Sequence, residues 1–354
     1  MRLVPARPRV VVAIATALAI VGVVVTITNR SDERTTDLSA GATTTTTTTA
    51  VDELAGDAAD TTTTSVGTTT TVAPPVSTTA RPVAPTSAAT PALANGFGQA
   101  GWIAYGLSDA THVVSPDGTG DYEFVRPNSE PHWSHDHNLI VMAGHAGRPD
   151  TYVAGADRNL RKVDLPAGAS WPTFTADNAH VLAMSYRYTD HASWTIRIAP
   201  VDGGPDRVLV ERTCELNWPV ASPDGTTIAF LGSSPTCTNN GSEPAQIYLM
   251  KPDGSDIRVA QGSPEGAFGL DWTPDSKSLV YGASGDVWLL DVRTGARTQI
   301  TKTPEVESQP HVSPDGTMIA FRVETGAMPA LDVTKLDGSA RRRVVTAPIY
   351  TIAW

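Results

Sequence analysis

The densest group of chemistry-bearing side chains in this sequence is His132, His135 and His137 around Asp136. Imidazole and carboxylate together can ligate zinc or copper. A plainer reading stands beside it. His132 precedes a core aromatic, as His311 precedes an apolar residue elsewhere, and His135 occupies a place that proline takes in sister segments. On that reading the group is a solvated turn with a structural strand histidine. A second candidate, Asp117-Gly118-Thr119-Gly120-Asp121, lacks the fuller acid pattern of a calcium loop and reads as a hairpin turn. No Gly-x-Ser-x-Gly elbow, His-Glu-x-x-His pair or phosphate loop occurs. The run Arg341-Arg342-Arg343 reads as a solvated strand face rather than a basic binding patch. No catalytic residue, metal or cofactor is therefore expected, and a binding module is favoured over an enzyme.

What must position these residues is a repeat. The unit Pro-x-aromatic-Ser-Pro-Asp-Gly, followed by short apolar strands and a later Asp-Gly, is clearest at Pro219–Gly225 and Pro310–Gly316. It recurs in part around Trp272-Thr273-Pro274-Asp275, and in degraded form at Pro131–Asp136 and Pro172–Asp177. The key acids, Asp136, Asp177, Asp224, Asp275 and Asp315, are 41, 47, 51 and 40 residues apart, the length of one four-stranded propeller blade. Proline presets φ, aspartate accepts a backbone N–H, and glycine supplies positive φ, so the motif predicts a hairpin corner whose acid is structural.

Five copies leave an incomplete sixth. Residues 101–125 supply three strands without an inner one, and Ile349-Tyr350-Thr351-Ile352-Ala353-Trp354 resembles the missing strand, with Trp354 matching Trp133 and Trp272. The expectation is an all-β, six-bladed β-propeller closed by the C-terminal strand, which removes the open sheet edge. One register position then faces the central channel in every blade, at His132, Thr173, Val220, Asp271, His311 and Ala353. The set shows no evident acid/base pair. If a small ligand binds there, His132, Asp271 and His311 are the first candidates.

The repeat resembles the Pro-Asp-type, WD40-like propeller repeats of the TolB family and of the propeller domains of prolyl-oligopeptidase-type peptidases. The resemblance covers residues 97–354 and implies the fold, whereas functions on it are diverse. Blade topology places Cys214 and Cys237 on one face of one blade, and a Cys214–Cys237 disulfide is expected across the loop 232–244. That loop and the segment 186–193 are the longest expected on this face.

The first 96 residues are of another kind: every Trp, Tyr and Phe lies at or after Phe97. Residues 10–28 are almost wholly apolar, preceded by Arg2, Arg7 and Arg9. Nineteen such residues span about 28 Å as a helix, so they read as an uncleaved transmembrane signal anchor. Residues 1–9 then form a short cytoplasmic tail, and the rest lies outside the cell membrane. Residues 29–96, rich in Thr, Ala and Pro, cannot bury enough to offset ordering and read as a disordered stalk. The net charge of −11 resides mainly beyond Phe97, which excludes nucleic acid as an expected partner. The functional expectation is a membrane-anchored, extracytoplasmic module binding an envelope or extracellular protein, peptide or glycan. The alternative is a cell-envelope lyase or hydrolase with its site at the channel mouth.

Overall fold

The structure, a computed structural model, describes Phe97 and residues 101–126, 128–144, 149–188, 192–234 and 244–354. The expected anchor at 10–28, the stalk at 29–96 and Cys237 lie outside the described residues. Among the described residues no helix is long and apolar enough to cross a membrane.

Each repeat ends its inner strand in the turn foreseen from its residues. Asp224 accepts the Ser222 hydroxyl (2.6 Å) and the Thr226 N–H (3.0 Å), and Ser222 Oγ accepts the Thr227 N–H (3.0 Å). The same pattern holds at Asp136, Asp177, Asp275 and Asp315. The last turn position has positive φ throughout. Glycine takes it at Gly225 and Gly316, and His137, Asn178 and Ser276 take it elsewhere.

These turns punctuate six antiparallel sheets of four strands, blades two to six being simple meanders. Blade one joins Thr351–Ala353 to Ile103–Gly106, Thr111–Val114 and Tyr122–Val125. Blades two to six occupy residues 128–163, 170–212, 216–259, 268–299 and 306–346. The ring closes as expected: Ala104 pairs with Ala353, Tyr105 with Ile352 and Gly106 with Thr351. The Trp354 indole N–H donates to the Gly101 carbonyl at 2.9 Å. The core lies between blades, where apolar faces of neighbouring sheets interleave. Trp272, for example, packs on Val220 and Leu231 of the preceding blade and donates to the Val220 carbonyl at 3.2 Å.

Two expectations need correction. The segment 186–193 is not a loop through its length, because His180–Tyr188 and Ala192–Pro200 pair as a long hairpin with Ser193 opposite Arg187. The Arg341–Arg343 run is not simply solvated either. In blade six, Arg341 bonds Asp332 (2.8 Å), Glu307 (2.6 Å) and Glu305 (2.7 Å), while Arg343 bonds Asp332 (2.6 Å). The Glu307 and Asp332 side chains are buried, so alternation along Arg342–Thr346 turns two guanidiniums onto them.

The inner strands carry one further regularity. A β-bulge interrupts register in blades two to six, and its residue has positive φ: Glu130 (52°), Trp171 (54°), Trp218 (47°), Gly269 (67°) and Gln309 (49°). Four of these precede the leading proline of the repeat. A side chain in this region costs about 1–2 kcal/mol. At Gly269 it would be barred outright, since a Cβ would meet Gln309 Cα at 2.7 Å.

Candidate functional site

The inner strands surround a channel with three levels. The middle one is set by the same register position of each inner strand, two residues before the Ser or Thr of the Pro-Asp turn, and it brings together His132, Asp271 and His311 from blades two, five and six. One ligand atom from each lies within 4.8 Å of the other two. Thr173 and Val220 line the same stretch, while Ala353 is buried in its strand. The three candidates read from the sequence therefore converge, and the pairing missed there is Asp271 with His311, whose Oδ2 and Nδ1 are 3.5 Å apart.

Main-chain groups hold this waist. Asp271 accepts the N–H of Trp272 on Oδ1 (2.8 Å) and of Val312 on Oδ2 (2.9 Å). Burial pushes the Asp271 carboxyl up, but His311, His132 and the Val312 N–H outweigh it and hold the group below its ordinary value. His132 Nδ1 lies 2.9 Å from the Trp133 carbonyl. A carbonyl only accepts, so Nδ1 carries the proton. Burial first, then the facing His311, pull the His132 pKa down to about 4, so its ring is neutral at physiological pH. Its Nε2 and the Nδ1 of His311 are buried and make no hydrogen bond.

Toward the Pro-Asp turns the channel widens into a cavity of about 200 Å³. His135 and His137 line it with Trp133, Pro223, Pro274 and Trp354. His137 is not the solvated turn residue expected. It is buried and stacks on Trp133, ring centroids 5.2 Å apart, and burial pulls its pKa down to about 4. Asp136 stays with its turn, and Asp117 and Asp121 are engaged separately, by Thr119 and by Tyr105 with His112. None of these acids joins a metal-ligating group among the described residues.

The opposite mouth is built by the bulge residues, which sequence reasoning missed. Trp171 and Trp218 stack at 3.8 Å, and Phe268 meets Trp218 edge-on at 4.5 Å. Glu130 accepts the Trp171 N–H at 2.9 Å. Burial raises its pKa to about 7 against the lowering effect of that hydrogen bond. Gln309 donates to the Tyr350 carbonyl at 2.9 Å. Glu130, Trp171, Trp218 and Gln309 enclose a pocket of about 20 Å³, room for one water. The available signal was positional: in four copies a large residue directly precedes the repeat's leading proline. Cys214 is buried just before the inner strand of blade four, and its expected partner, Cys237, lies outside the described residues.

No protein-family model matches the chain. The propeller superposes on TolB from Acinetobacter baumannii with TM-score 0.61 and 19% identity, over 72% of this chain and 66% of that one. A putative TolB from Agrobacterium tumefaciens gives 0.58 and 17%, over 68% and 89%. A chain of a nidogen/laminin complex gives 0.57 and 11%, over 71% and 97%. The chain thus spans just under two thirds of the Acinetobacter protein. At these identities the likeness establishes a fold, a TolB-like six-bladed propeller.

Proposed function

We propose that this chain is a membrane-anchored, extracytoplasmic binding propeller that captures a protein or peptide segment at the Trp171–Trp218 mouth of its channel. The carrying observation is that aromatic run beside the Glu130 carboxyl, set on a backbone in left-handed conformations. Strain of this kind persists where the surroundings enforce it and gathers at functional sites. Buried indoles are favoured anchors for protein partners. Each indole covers one face of the other, which leaves less open platform for a sugar ring beside the carboxyl, so a glycan is the lesser candidate. The TolB-like fold supports a binding role, and a neighbour of that fold comes from a nidogen/laminin complex. In this reading residues 10–28 anchor the chain with its N-terminus cytoplasmic, residues 29–96 hold the propeller off the membrane, and Cys214 pairs with Cys237.

The test is photo-crosslinking in native envelopes from Tyr350→p-benzoylphenylalanine, an exposed position whose carbonyl borders the mouth. Discrete protein adducts are expected, lost in Trp218→Ala or Glu130→Gln and kept in Val259→Ser. Adducts removed by glycosidase would transfer the site to a glycan, and adducts indifferent to Trp218 would remove the mouth as the site. A cell-envelope lyase or hydrolase is the second reading, favoured by the polar cluster at the waist. It requires polysaccharide turnover that His311→Gln abolishes.

A further inference from the structure

We propose that His132 Nε2, His311 Nδ1 and an Asp271 carboxylate oxygen form a site for one divalent transition-metal ion at the channel waist, open toward the turn-side cavity. This departs from the expectation, read from sequence, of no metal. The first argument is the tautomer. With its proton committed to the Trp133 carbonyl, His132 turns a bare lone pair into the channel, and no donor meets it. A ligating imidazole has this arrangement, with its far nitrogen fixed by a backbone carbonyl.

The second argument is that the alternative, a structural His–Asp pair, is poorly made. Such a pair closes to hydrogen-bond distance, whereas His311 Nδ1 stands 3.5 Å from Asp271 Oδ2 and makes no hydrogen bond. Asp271 spends both oxygens on main-chain N–H groups, which fixes its carboxylate and leaves lone pairs toward the rings. Around an ion with bonds of about 2.0–2.1 Å, neighbouring ligand atoms stand roughly 3.0–3.4 Å apart. The 3.5 Å Asp271–His311 spacing is within about 0.1 Å of that range, and drawing His132 in from as far as 4.8 Å needs at most about 1.5 Å of side-chain movement.

Chemistry narrows the ion. Two imidazoles and one carboxylate suit zinc and its first-row neighbours, not calcium or magnesium, which take oxygen ligands. His132 and Asp271 line the cavity of about 200 Å³, whereas His132 and His311 line the pocket of about 20 Å³, so the ion would lie between the two and be reachable from the wider, turn-side one. The inference is independent of the proposed binding mouth, because the metal stoichiometry is read without any captured partner.

The experiment uses the full-length chain, stripped with chelator and titrated with Co²⁺ and then Zn²⁺. One Co²⁺ per chain is expected, with visible ligand-field bands that one equivalent of Zn²⁺ removes. His132→Gln and His311→Gln should each weaken binding at least tenfold, with His180→Asn unchanged. Absence of the bands, or undiminished binding in the His132→Gln/His311→Gln double variant, overturns the site. X-ray absorption of the zinc-loaded wild-type chain avoids any dependence on variant folding. At least two imidazoles in the first shell support the assignment, and fewer than two overturn it.

Discussion

Two polar clusters share blade six, and they are built to different ends. In one, Arg341 and Arg343 at the outermost strand meet Asp332 of the third strand and Glu305 and Glu307 at the start of the innermost one, so every charge faces an opposite one, and only one Glu307 oxygen lacks a partner. In the other, His311 of the innermost strand meets His132 and Asp271 across the channel, and two ring nitrogens have no hydrogen bond. The outer cluster is closed, because its groups satisfy each other. The inner one is open, because its carboxylate is held by the main chain and neither His132 Nε2 nor His311 Nδ1 finds a hydrogen-bond partner. A buried charge deprived of its partner is penalised heavily, whereas a buried polar atom that already lacks one loses little when removed. The first cluster should therefore be stability, and the second function.

The largest effect that bears on this contrast is one that disturbs both sides. Deleting residues 349–354 removes buried Ile349, Ile352 and Trp354, together with the Ile349 and Tyr350 carbonyls that hold Arg322 and Gln309. Burial of three large side chains is worth about 5–8 kcal/mol, so the truncated propeller should lose its cooperative thermal transition. An unchanged melt would mean that the seam does not couple the blades.

Arg341→Met comes next. It leaves the buried Glu307 carboxylate without a charged partner and Asp332 with Arg343 alone, and should cost about 3–5 kcal/mol in denaturant unfolding. A loss under about 1 kcal/mol would remove the closed cluster from the account of stability.

The pH dependence is smaller. The His137 pKa is held down to about 4, against about 6.5 in an unfolded chain. Between these values the unfolded state binds more protons, so stability is fully present above about pH 6.5 and falls as pH drops toward 4. His137→Asn should flatten that fall by on the order of 1–2 kcal/mol at pH 5. An unaltered slope in urea melts across this window would show that the ring is not buried neutral.

The smallest effect is expected at the waist. His132→Leu removes the unpartnered Nε2 together with the Nδ1–H that donates to the Trp133 carbonyl; the two changes oppose one another and should shift unfolding by no more than about 1 kcal/mol. A loss as large as that of Arg341→Met would erase the distinction between the two clusters.

The sequence made the waist legible for a specific reason. The Ser-Pro-Asp-Gly corners fix where each inner strand ends, and counting back from them put His132, Asp271 and His311 at one level. Their approach across the ring was not legible, because it depends on the radius that six packed blades adopt. Nor was the Trp171–Trp218 mouth, since a bulge before a proline leaves no composition signal and its positive φ arises from strand pairing. The ion-pair cluster was hidden for a similar reason. Three consecutive arginines look uniform in sequence, and only the partner strand Ala330–Lys335, carrying Asp332, sorts two inward from one outward.

The seam sets a schedule for synthesis. Trp354 reaches back 253 positions to Gly101, and the innermost strand of the first blade is the last strand of the propeller to be made. Blades two to six are meanders of consecutive strands and can form as they leave the ribosome, but the first keeps an unpaired edge until Thr351–Ala353 have been made. A chain that stops short of Thr351 would therefore emerge as an arc with an adhesive border, ready for proteolysis, and only one that carries the strand 351–353 would be sealed against it.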